Sequence, residues 1–181
     1  MVKDETLLLV DKKDNVIGKE MKEKCHIKGL LHRAFMVMVF NDKGQLLLTR
    51  RSEKKRLWPG FWDGSVSSHV HEGESYEDSG RKRLGEELGV EFEVNYLFKF
   101  YYKVPYKNIG FEHEICAVLL AKVRSEISPN PDEISSFRYL GIEDFKRDIE
   151  ISKEVYCPWL LIGFERLMKE HKESFEGFLL G

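Results

Sequence analysis

The chain has 181 residues, of which 29 are Lys or Arg and 31 are Asp or Glu, giving a formal net charge of −2. This near balance argues against a nucleic-acid binder that relies on bulk positive potential. Hydrophobic residues make up 42% of the chain, a composition that excludes a disordered protein and is typical of a folded one. The length is that of one domain, so we expect residues 1–181 to form a single domain.

Membrane insertion and secretion are not expected from the sequence. The longest apolar runs, 34–40 and 159–164, fall short of the roughly 20 residues that a membrane-spanning helix needs. The first ten residues lack the charged, apolar and small-residue regions of a secretory signal. We therefore expect a cytoplasmic protein without a membrane partner, and the odd number of cysteines suits a reducing compartment. The cysteines, expected to be free thiols, are Cys25, Cys116 and Cys157.

The first quarter of the chain contains two hairpin patterns. Short apolar runs at 7–10 and 16–18 flank a polar turn, which predicts a first pair of strands. Longer runs at 34–40 and 45–49 flank the Asn, Asp and Gly of residues 41–44. This turn chemistry predicts a second hairpin.

Residues 75–88 have the spacing of a helix. Ser75 is a suitable N-cap and Gly89 a suitable C-cap. Gly80 and Gly85 lie inside this helix, where each costs about 1 kcal/mol relative to alanine. Such a helix is expected to be held by close packing or by a bound group.

The rest of the chain predicts further strands and then helices. Apolar and aromatic runs at 94–104 and 115–123 predict two strands joined by a turn at 107–110, and 137–140 predicts a shorter one. Strands, one helix, more strands and closing helices are typical of an α+β domain with a mixed sheet on which a helix packs. The closing helices are expected at 142–149 and from a start near Pro158.

Acidic residues cluster around the helix at 75–88. Glu74 precedes it, Glu86 and Glu87 end it, and Arg83 lies one turn from Glu87 on the same face. A carboxylate beside a guanidinium suits a metal-bound diphosphate, because the metal needs oxygen ligands and the phosphate needs a fork of donors. A solvated charged helix face is the alternative, and the spacing leaves both open.

The segment 69–90, together with Ser68 just before it, resembles the Nudix box. That pattern is a glycine, five residues, a glutamate, seven residues and then the run Arg-Glu-apolar-x-Glu-Glu-x-Gly-apolar. Three positions depart from the pattern, since Ser68 replaces the first glycine, Lys82 the arginine and Arg83 the first glutamate of the run. In Nudix hydrolases that glutamate is a principal ligand of the catalytic magnesium, so the resemblance implies an altered hydrolase site. The matching residues are Glu74, Leu84, Glu86, Glu87, Gly89 and Val90.

A more specific resemblance rests on seven segments spread over nearly the whole chain: CHIKGLLHRAF, GQLLLTRR, LWPGFWDGSVSSH, GESYED, ELGV, FEHEIC and CPW. In this order they are similar to segments of the type 1 isopentenyl-diphosphate delta-isomerases, Nudix-superfamily enzymes whose helix also carries an arginine at the position of Arg83. The resemblance implies a Nudix fold, a mixed β-sheet sandwiched by helices. It also implies isomerisation of isopentenyl diphosphate to dimethylallyl diphosphate.

The family holds a divalent metal with three histidines and two glutamates. Nitrogen and oxygen ligands together suit a cation such as manganese, zinc or magnesium. Glu112 and Glu114 are alternate residues, which point to the same side of a strand. His71, His113 and His171 are expected to be surface residues without function. The resemblance implies that the ligands are His26, His32, His69, Glu112 and Glu114.

Moving the double bond requires an acid, a base and a group that stabilises a tertiary carbocation. By resemblance, Glu114 with Tyr102 serves one proton transfer, and Trp159 offers its ring to the cation, which an indole face attracts. Plain core packing is the alternative for Trp159. The resemblance further implies that Glu87 binds magnesium on the diphosphate. The basic residues implied in binding the diphosphate are Lys22, Arg51, Lys55 and Arg83.

Ser67 stands where the family has its catalytic cysteine. A serine hydroxyl is a much weaker acid than a thiol and becomes a base only with a partner, so proton transfer there should be slow. Three outcomes are open: Ser67 relays a proton less efficiently, another group or a water substitutes, or the fold performs different chemistry. None of the three cysteines is an obvious replacement; Cys25 adjoins His26, but a structural thiol is the expected role for it.

The sequence therefore leaves three functions open, each with a small diphosphate compound as the partner. The first is isopentenyl-diphosphate isomerisation. The second is hydrolysis of a nucleoside diphosphate derivative, indicated by Glu74, Glu86 and Glu87. The third is a diphosphate-binding protein without turnover, indicated by Ser67. The sequence leaves the oligomeric state open, and no nucleic-acid partner is expected.

Overall fold

The computed structural model describes residues 5–181. The first four residues, part of the segment that lacks a secretory signal pattern, lie outside the described residues. The strands are β1 (Thr6–Val10), β2 (Val16–Met21), β3 (His32–Asn41), β4 (Leu46–Arg51), β5 (Trp62–Asp63), β6 (Val66–His69), β7 (Val94–Tyr106), β8 (Gly110–Val123) and β9 (Ile134–Leu140). The helices are α1 (Lys22–Lys28), α2 (Tyr76–Leu88), α3 (Ile142–Ser152), α4 (Pro158–Glu170) and α5 (Lys172–Leu180). Within residues 5–181, none of these helices is long and apolar enough to cross a membrane.

Strand β3 is the centre of a mixed sheet. It runs parallel to β8, starting with His32 opposite Glu114. On its other edge it pairs antiparallel with β6, where Ala34 lies opposite His69. Residues 34–40 of β3 are all buried, as expected for a strand that is covered on both faces. The ends of β3, β6 and β8 therefore meet in one region of the sheet.

The predicted strands are confirmed, with one difference in their pairing. β1 pairs with β2 and β7 pairs with β8, forming two antiparallel hairpins. β3 and β4 follow each other across the predicted turn, but among the described residues they pair only where Phe40 lies opposite Leu46. The second hairpin is thus confirmed at its turn, and its pairing is short because β6 and β8 pair with most of β3 while β4 pairs mainly with β5 and β9.

Helices cover both faces of the sheet. On one face α2 packs through Leu84 and Leu88 against the sheet residues Val37 and Leu119. On the other face α3, α4 and α5 contribute to a second core, which also contains Phe100 of β7. This arrangement confirms the predicted α+β class and the mixed β-sheet sandwiched by helices.

Helix α2 begins and ends where the sequence predicts. The Ser75 hydroxyl accepts a hydrogen bond from the backbone N–H of Asp78 at 3.0 Å, and the Asp78 carboxylate accepts from the backbone N–H of Ser75. These two bonds form a capping box. Gly89 ends the helix in the left-handed region, at φ +69°, and its N–H donates to the carbonyl of Gly85 at 3.1 Å.

The two glycines inside α2 should respond oppositely to alanine substitution. A Cβ at Gly80 would lie 2.7 Å from Leu119 Cδ1 and 3.3 Å from Val94 Cγ1. Gly80→Ala is therefore expected to lower the free energy of unfolding by about 1–3 kcal/mol. A Cβ at Gly85 would meet only the Val90 carbonyl oxygen, at 3.9 Å, so Gly85→Ala should raise that free energy by about 0.5–1 kcal/mol. Denaturant unfolding measures both, and a stabilising Gly80→Ala would contradict this packing.

Two helical features have no counterpart in the sequence patterns. Helix α1 follows Met21, which makes no side-chain capping bond, and ends at Gly29 in the left-handed region with φ +60°. The closing helix that starts at Pro158 divides into α4 and α5 at His171. The ring of His171 stacks on Phe98 with 4.1 Å between centroids, so this histidine is half-buried instead of a free surface residue.

Candidate metal centre and active site

Three histidines from separate elements face one another at the end of the sheet. His26 lies in α1, His32 begins β3, and His69 ends β6. Their ring centroids are 5.1 to 5.4 Å apart, and all three side chains are buried. The left-handed turn at Gly29 lets the chain pass from α1 into β3, so His26 returns to the start of the strand.

Backbone carbonyls fix the orientation of two of these rings. Nδ1 of His26 lies 3.1 Å from the carbonyl oxygen of Phe111, and Nδ1 of His32 lies 2.8 Å from that of Leu30. A carbonyl only accepts, so each Nδ1 carries a proton and each Nε2 is free to bind a cation in the neutral ring. Nε2 of His32 and Nδ1 of His69 are buried without a hydrogen-bond partner among residues 5–181.

Two glutamates of β8 complete the cluster. Glu112 and Glu114 are alternate residues of the strand and point to the same side of the sheet. Oε1 of Glu114 lies 3.4 Å from Nε2 of His32 and 3.6 Å from Nε2 of His69. Oε2 of Glu112 lies 3.2 Å from Nδ1 of His26 and 3.9 Å from Nε2 of His32. All five residues that the sequence resemblance names as ligands are thus brought together.

Four members of this cluster can hold a divalent metal ion. Their potential ligand atoms lie within 4.8 Å of one another, in His26, His32, His69 and Glu112. Glu114 lies outside this set of four, although it contacts two of the histidines. Oε2 of Glu112 has no hydrogen-bond partner within the described part of the chain, like the two imidazole nitrogens. Imidazole nitrogen and carboxylate oxygen, buried and unpaired, fit a divalent cation.

The charges in the cluster favour an ionised Glu114. Burial acts to raise the pKa of Glu114, but contacts with the imidazoles of His32 and His69 lower that pKa well below its usual range. Burial lowers the pKa of His69, whereas the pKa of His32 is raised because its contact with Glu114 outweighs burial. A carboxylate among imidazoles is the protonation state that binds metal.

A cavity of about 890 Å³ opens beside the cluster. Two of the predicted site residues do not line it: His32 is fully buried, and Glu87 is buried next to Arg83. His71, expected to have no function, is also on its wall. The predicted residues that line the cavity are Lys22, His26, Arg51, Lys55, Ser67, His69, Arg83, Tyr102, Glu112, Glu114 and Trp159.

Lysines of the cavity are paired with carboxylates that the sequence patterns missed. Nζ of Lys22 donates to Oε2 of Glu5 at 2.8 Å, and Lys55 forms an ion pair with Glu133. Glu133 also receives Nη2 of Arg83, at 3.3 Å. Glu5 is 17 residues from Lys22 and Glu133 is 78 residues from Lys55 along the chain, so only the fold reveals these pairs.

The three acids of the Nudix box differ in their ion-pair partners. Arg83 holds Glu87 at 2.5 Å and Glu86 at 2.6 Å. Burial raises the pKa of Glu87, and the positive charge of Arg83 lowers it by less, so the pKa stays above its usual value. Glu74 forms an ion pair with Lys82 at 3.0 Å, and neither Glu74 nor Glu86 is among the described residues that line the cavity. Among the described residues, none of the three acids behind the hydrolase alternative lines the cavity or belongs to the cluster of potential metal ligands.

Tyr102 and Trp159 are buried aromatic residues that line the cavity. The Tyr102 hydroxyl donates to Oε2 of Glu114 at 2.5 Å, and burial raises the pKa of this phenol well above its usual value, so it stays protonated. The Trp159 ring lies near the start of α4, 3% exposed, with the Arg51 guanidinium 5.3 Å from its centroid. Trp159 is thus both a core residue and part of the cavity wall.

Asp63 is a candidate functional residue that the sequence patterns missed. Its buried carboxylate accepts hydrogen bonds from Ser67 Oγ at 2.9 Å, Trp159 Nε1 at 2.7 Å and Arg51 Nη1 at 3.0 Å. Three predicted site residues therefore meet on one acid. The available sequence signal was an aspartate within the otherwise uncharged segment 61–66, where burial requires partners.

The three cysteines are free thiols, as the sequence predicts, and all three are buried. Cys116 lines the cavity, and burial raises the pKa of its thiol well above the usual value, which keeps it protonated. Cys25 lies 3.7 Å from the carbonyl oxygen of Glu20 and is not on the described cavity wall. Neither Cys116 nor Cys25 therefore presents a thiolate to the cavity that could replace the family's catalytic cysteine.

Known proteins resemble this chain over most of its length. The NUDIX domain family matches residues 30–160. Isopentenyl-diphosphate Delta-isomerase 1 of Photorhabdus laumondii is 34% identical, with 92% of this chain and 97% of that protein covered. Isopentenyl-diphosphate Delta-isomerase 1 of Mesocricetus auratus is 37% identical, with 87% of this chain and 80% of that protein covered.

Solved structures show the same fold. A Deinococcus radiodurans protein superimposes with a TM-score of 0.74 at 28% identity, over 90% of this chain and 98% of that one. A MutT protein of Methanosarcina mazei superimposes with a TM-score of 0.64 at 22% identity, over 78% and 96% of the two chains, a likeness of fold alone. The chain therefore belongs to the Nudix family and, within it, to the isopentenyl-diphosphate Delta-isomerases.

Proposed function

We propose that this protein is a single-domain enzyme that isomerises isopentenyl diphosphate to dimethylallyl diphosphate. The observation that carries the proposal is the convergence of three histidines and two glutamates beside one cavity, which also contains Tyr102 and Trp159. Membership of the isomerase family supports it. The partner is a small diphosphate compound.

The reaction moves one double bond by gaining and losing a proton. The electron pair of the double bond takes a proton at the terminal methylene carbon, which leaves a tertiary carbocation. The C–H pair of the neighbouring methylene then forms the new double bond as its proton departs. Tyr102 and Glu114, joined by a 2.5 Å hydrogen bond, are the group that handles one proton. The ring of Trp159 offers its face to the cation.

A divalent metal is expected in the cluster, with His26, His32, His69, Glu112 and Glu114 as its ligands. Manganese, zinc or magnesium would be compatible with these donors. When bound, such a cation supplies Lewis acidity and raises the acidity of the groups attached to it. Tyr102 holds the second oxygen of Glu114, so this carboxylate keeps one orientation relative to the cavity.

The basic residues of the wall would bind the diphosphate. Lys22, Lys55 and Arg83 each have a carboxylate partner at the cavity and can exchange it for a phosphate oxygen. Arg51 is already held by Asp63 and contributes a fixed positive charge. Glu87, adjacent to Arg83, would bind magnesium carried by the diphosphate.

Ser67 should make the enzyme slow, and Ser67→Cys is expected to raise kcat by about 10-fold or more. A thiol can release its proton near neutral pH, which a serine hydroxyl cannot do. Ser135→Cys is the matched control, because it places a thiol at an exposed position of β9 that is not among the described residues lining the cavity. Steady-state kinetics of both variants measure the effect, and equal rates for the Ser67→Cys variant and the native protein would contradict this account.

The activity itself is tested by incubating the protein with isopentenyl diphosphate and a divalent metal, and assaying the acid-labile allylic isomer. No conversion by the native protein or by Ser67→Cys would overturn the proposal. A panel of nucleoside diphosphate derivatives tests the hydrolase alternative, in which Glu86→Gln would abolish phosphate or nucleotide release. A protein that binds diphosphates but turns over none would support the silent alternative.

A further inference from the structure

Asp63 is buried at the point where three cavity residues meet. Its side chain lies at the end of β5, and the residue is 2% exposed. Oδ1 accepts from the backbone N–H of Gly64 at 2.7 Å, from Trp159 Nε1 at 2.7 Å and from Ser67 Oγ at 2.9 Å. Oδ2 accepts from Arg51 Nη1 at 3.0 Å. Both oxygens are thus bonded within the protein, and Asp63 is not among the described residues that line the cavity, so it acts on a ligand only through its partners.

The contact between Asp63 and Ser67 fixes the direction of the serine hydroxyl. Ser67 Oγ donates a hydrogen bond to Asp63 Oδ1, with 2.9 Å between the two oxygen atoms. The hydroxyl proton of Ser67 therefore points to Asp63. Trp159 Nε1 also donates to Ser67 Oγ, at 3.2 Å, and so occupies one of the two acceptor positions of the serine oxygen. The other acceptor position is left for the cavity, which Ser67 lines.

We propose that Asp63 is the positioning residue that makes Ser67 a proton acceptor in place of the family's thiol. This role rests on the proposed isomerase function. In the deprotonation step, the C–H electron pair of the substrate methylene becomes the new double bond, and its proton passes to Ser67 Oγ. The hydroxyl proton of Ser67 passes to Asp63 Oδ1. The charge of the carbocation and that of the carboxylate are cancelled together.

A thiol in place of Ser67 would not need this carboxylate. The cysteine can lose its proton alone, whereas the serine depends on the acceptor behind it. Asp63 would still orient Trp159 and Arg51 in either case. The cost of losing Asp63 should therefore be larger with serine at position 67 than with cysteine.

The test is a double-mutant comparison of isomerase activity. Asp63→Asn is expected to lower kcat by about 100-fold in the native protein, with little change in KM, but by no more than about 10-fold in the Ser67→Cys protein. Asp63→Asn and Ser67→Ala combined should cost no more than either alone, because the two residues act as a unit. Equal losses from Asp63→Asn in both backgrounds would overturn the proposal and leave Asp63 a structural residue.

Asp14→Asn is the matched control, since Asp14 is a buried carboxylate outside the cavity wall that pairs with Arg33 and Lys99. It should leave kcat within about 2-fold. If Asp63→Asn does not fold, Asp63→Ser replaces it in the same comparison. The Trp159 indole N–H resonance supplies a readout that needs no turnover. Its chemical shift should move in Asp63→Asn and not in Asp14→Asn.

An unmoved indole resonance would contradict the hydrogen bond on which the inference depends. A native protein and a Ser67→Cys variant that both leave isopentenyl diphosphate unchanged would overturn the proposed function, and with it the role of Asp63. Isomerase activity with equal Asp63→Asn losses would overturn the inference alone. The two failures are therefore distinguishable.

Discussion

Glu114→Gln is expected to lower kcat for isopentenyl-diphosphate isomerisation by about 1,000-fold. The glutamate contacts His32 and His69 through Oε1 and accepts the Tyr102 hydroxyl through Oε2. A glutamine has nearly the same shape, but it carries no negative charge and cannot exchange a proton. Both metal binding and proton transfer should suffer, while the strand β8 keeps its register.

Tyr102→Phe separates these two contributions. It removes only the hydrogen bond to Glu114 and leaves the carboxylate beside the histidines, so we expect a loss of about 10- to 100-fold with the metal retained. Glu165→Gln, at an exposed position of α4, serves as the control for a change of charge. A Glu114→Gln protein within 10-fold of the native rate would contradict the role proposed for this residue.

Removal of the metal is expected to destabilise the protein markedly. The buried nitrogens of His32 and His69 and an oxygen of Glu112 have no hydrogen-bond partner within residues 5–181, so a cation would satisfy them. Metal at about 100 times its dissociation constant adds about 2.7 kcal/mol of stability. For a chain of this length, that corresponds to a rise in Tm of about 5–10 °C. Thermal unfolding with and without a chelator measures the difference.

His32→Gln should weaken metal binding by more than about 100-fold and make Tm insensitive to the chelator. His113→Gln is the control, because His113 bonds to the Gly29 carbonyl at 2.7 Å and to Tyr101, outside the cluster. Elemental analysis after purification reports both metal content and metal identity. If His32→Gln retained as much metal as the native protein, the three-histidine site would be wrong.

Local patterns predicted the elements better than their pairing. Helix α2 follows its caps, Ser75 and Gly89, because capping acts within a few residues. The partners of β3 could not be predicted, since β8 pairs with it from about 80 residues away along the chain. Short elements such as β5, β6 and α1 carry too few residues for a period to appear.

The site was predictable to the extent that each residue lies in a recognisable segment. His26, His32 and His69 occur in segments that resemble the isomerases, so their convergence could be expected before any coordinates. Asp63 could not be found in this way, because its partner Trp159 is 96 residues away and only the fold brings them together. An acid inside an uncharged segment indicates buried partners without saying which they are.

Incubation with isopentenyl diphosphate and a divalent metal in deuterium oxide tests the central claim most directly. Protonation from solvent at the terminal methylene should give dimethylallyl diphosphate with deuterium in one methyl group and the diphosphate intact, as followed by proton and phosphorus NMR. Chelator-treated protein should give none until metal is restored. Unlabelled substrate after prolonged incubation, or release of phosphate in place of the allylic product, would contradict the account.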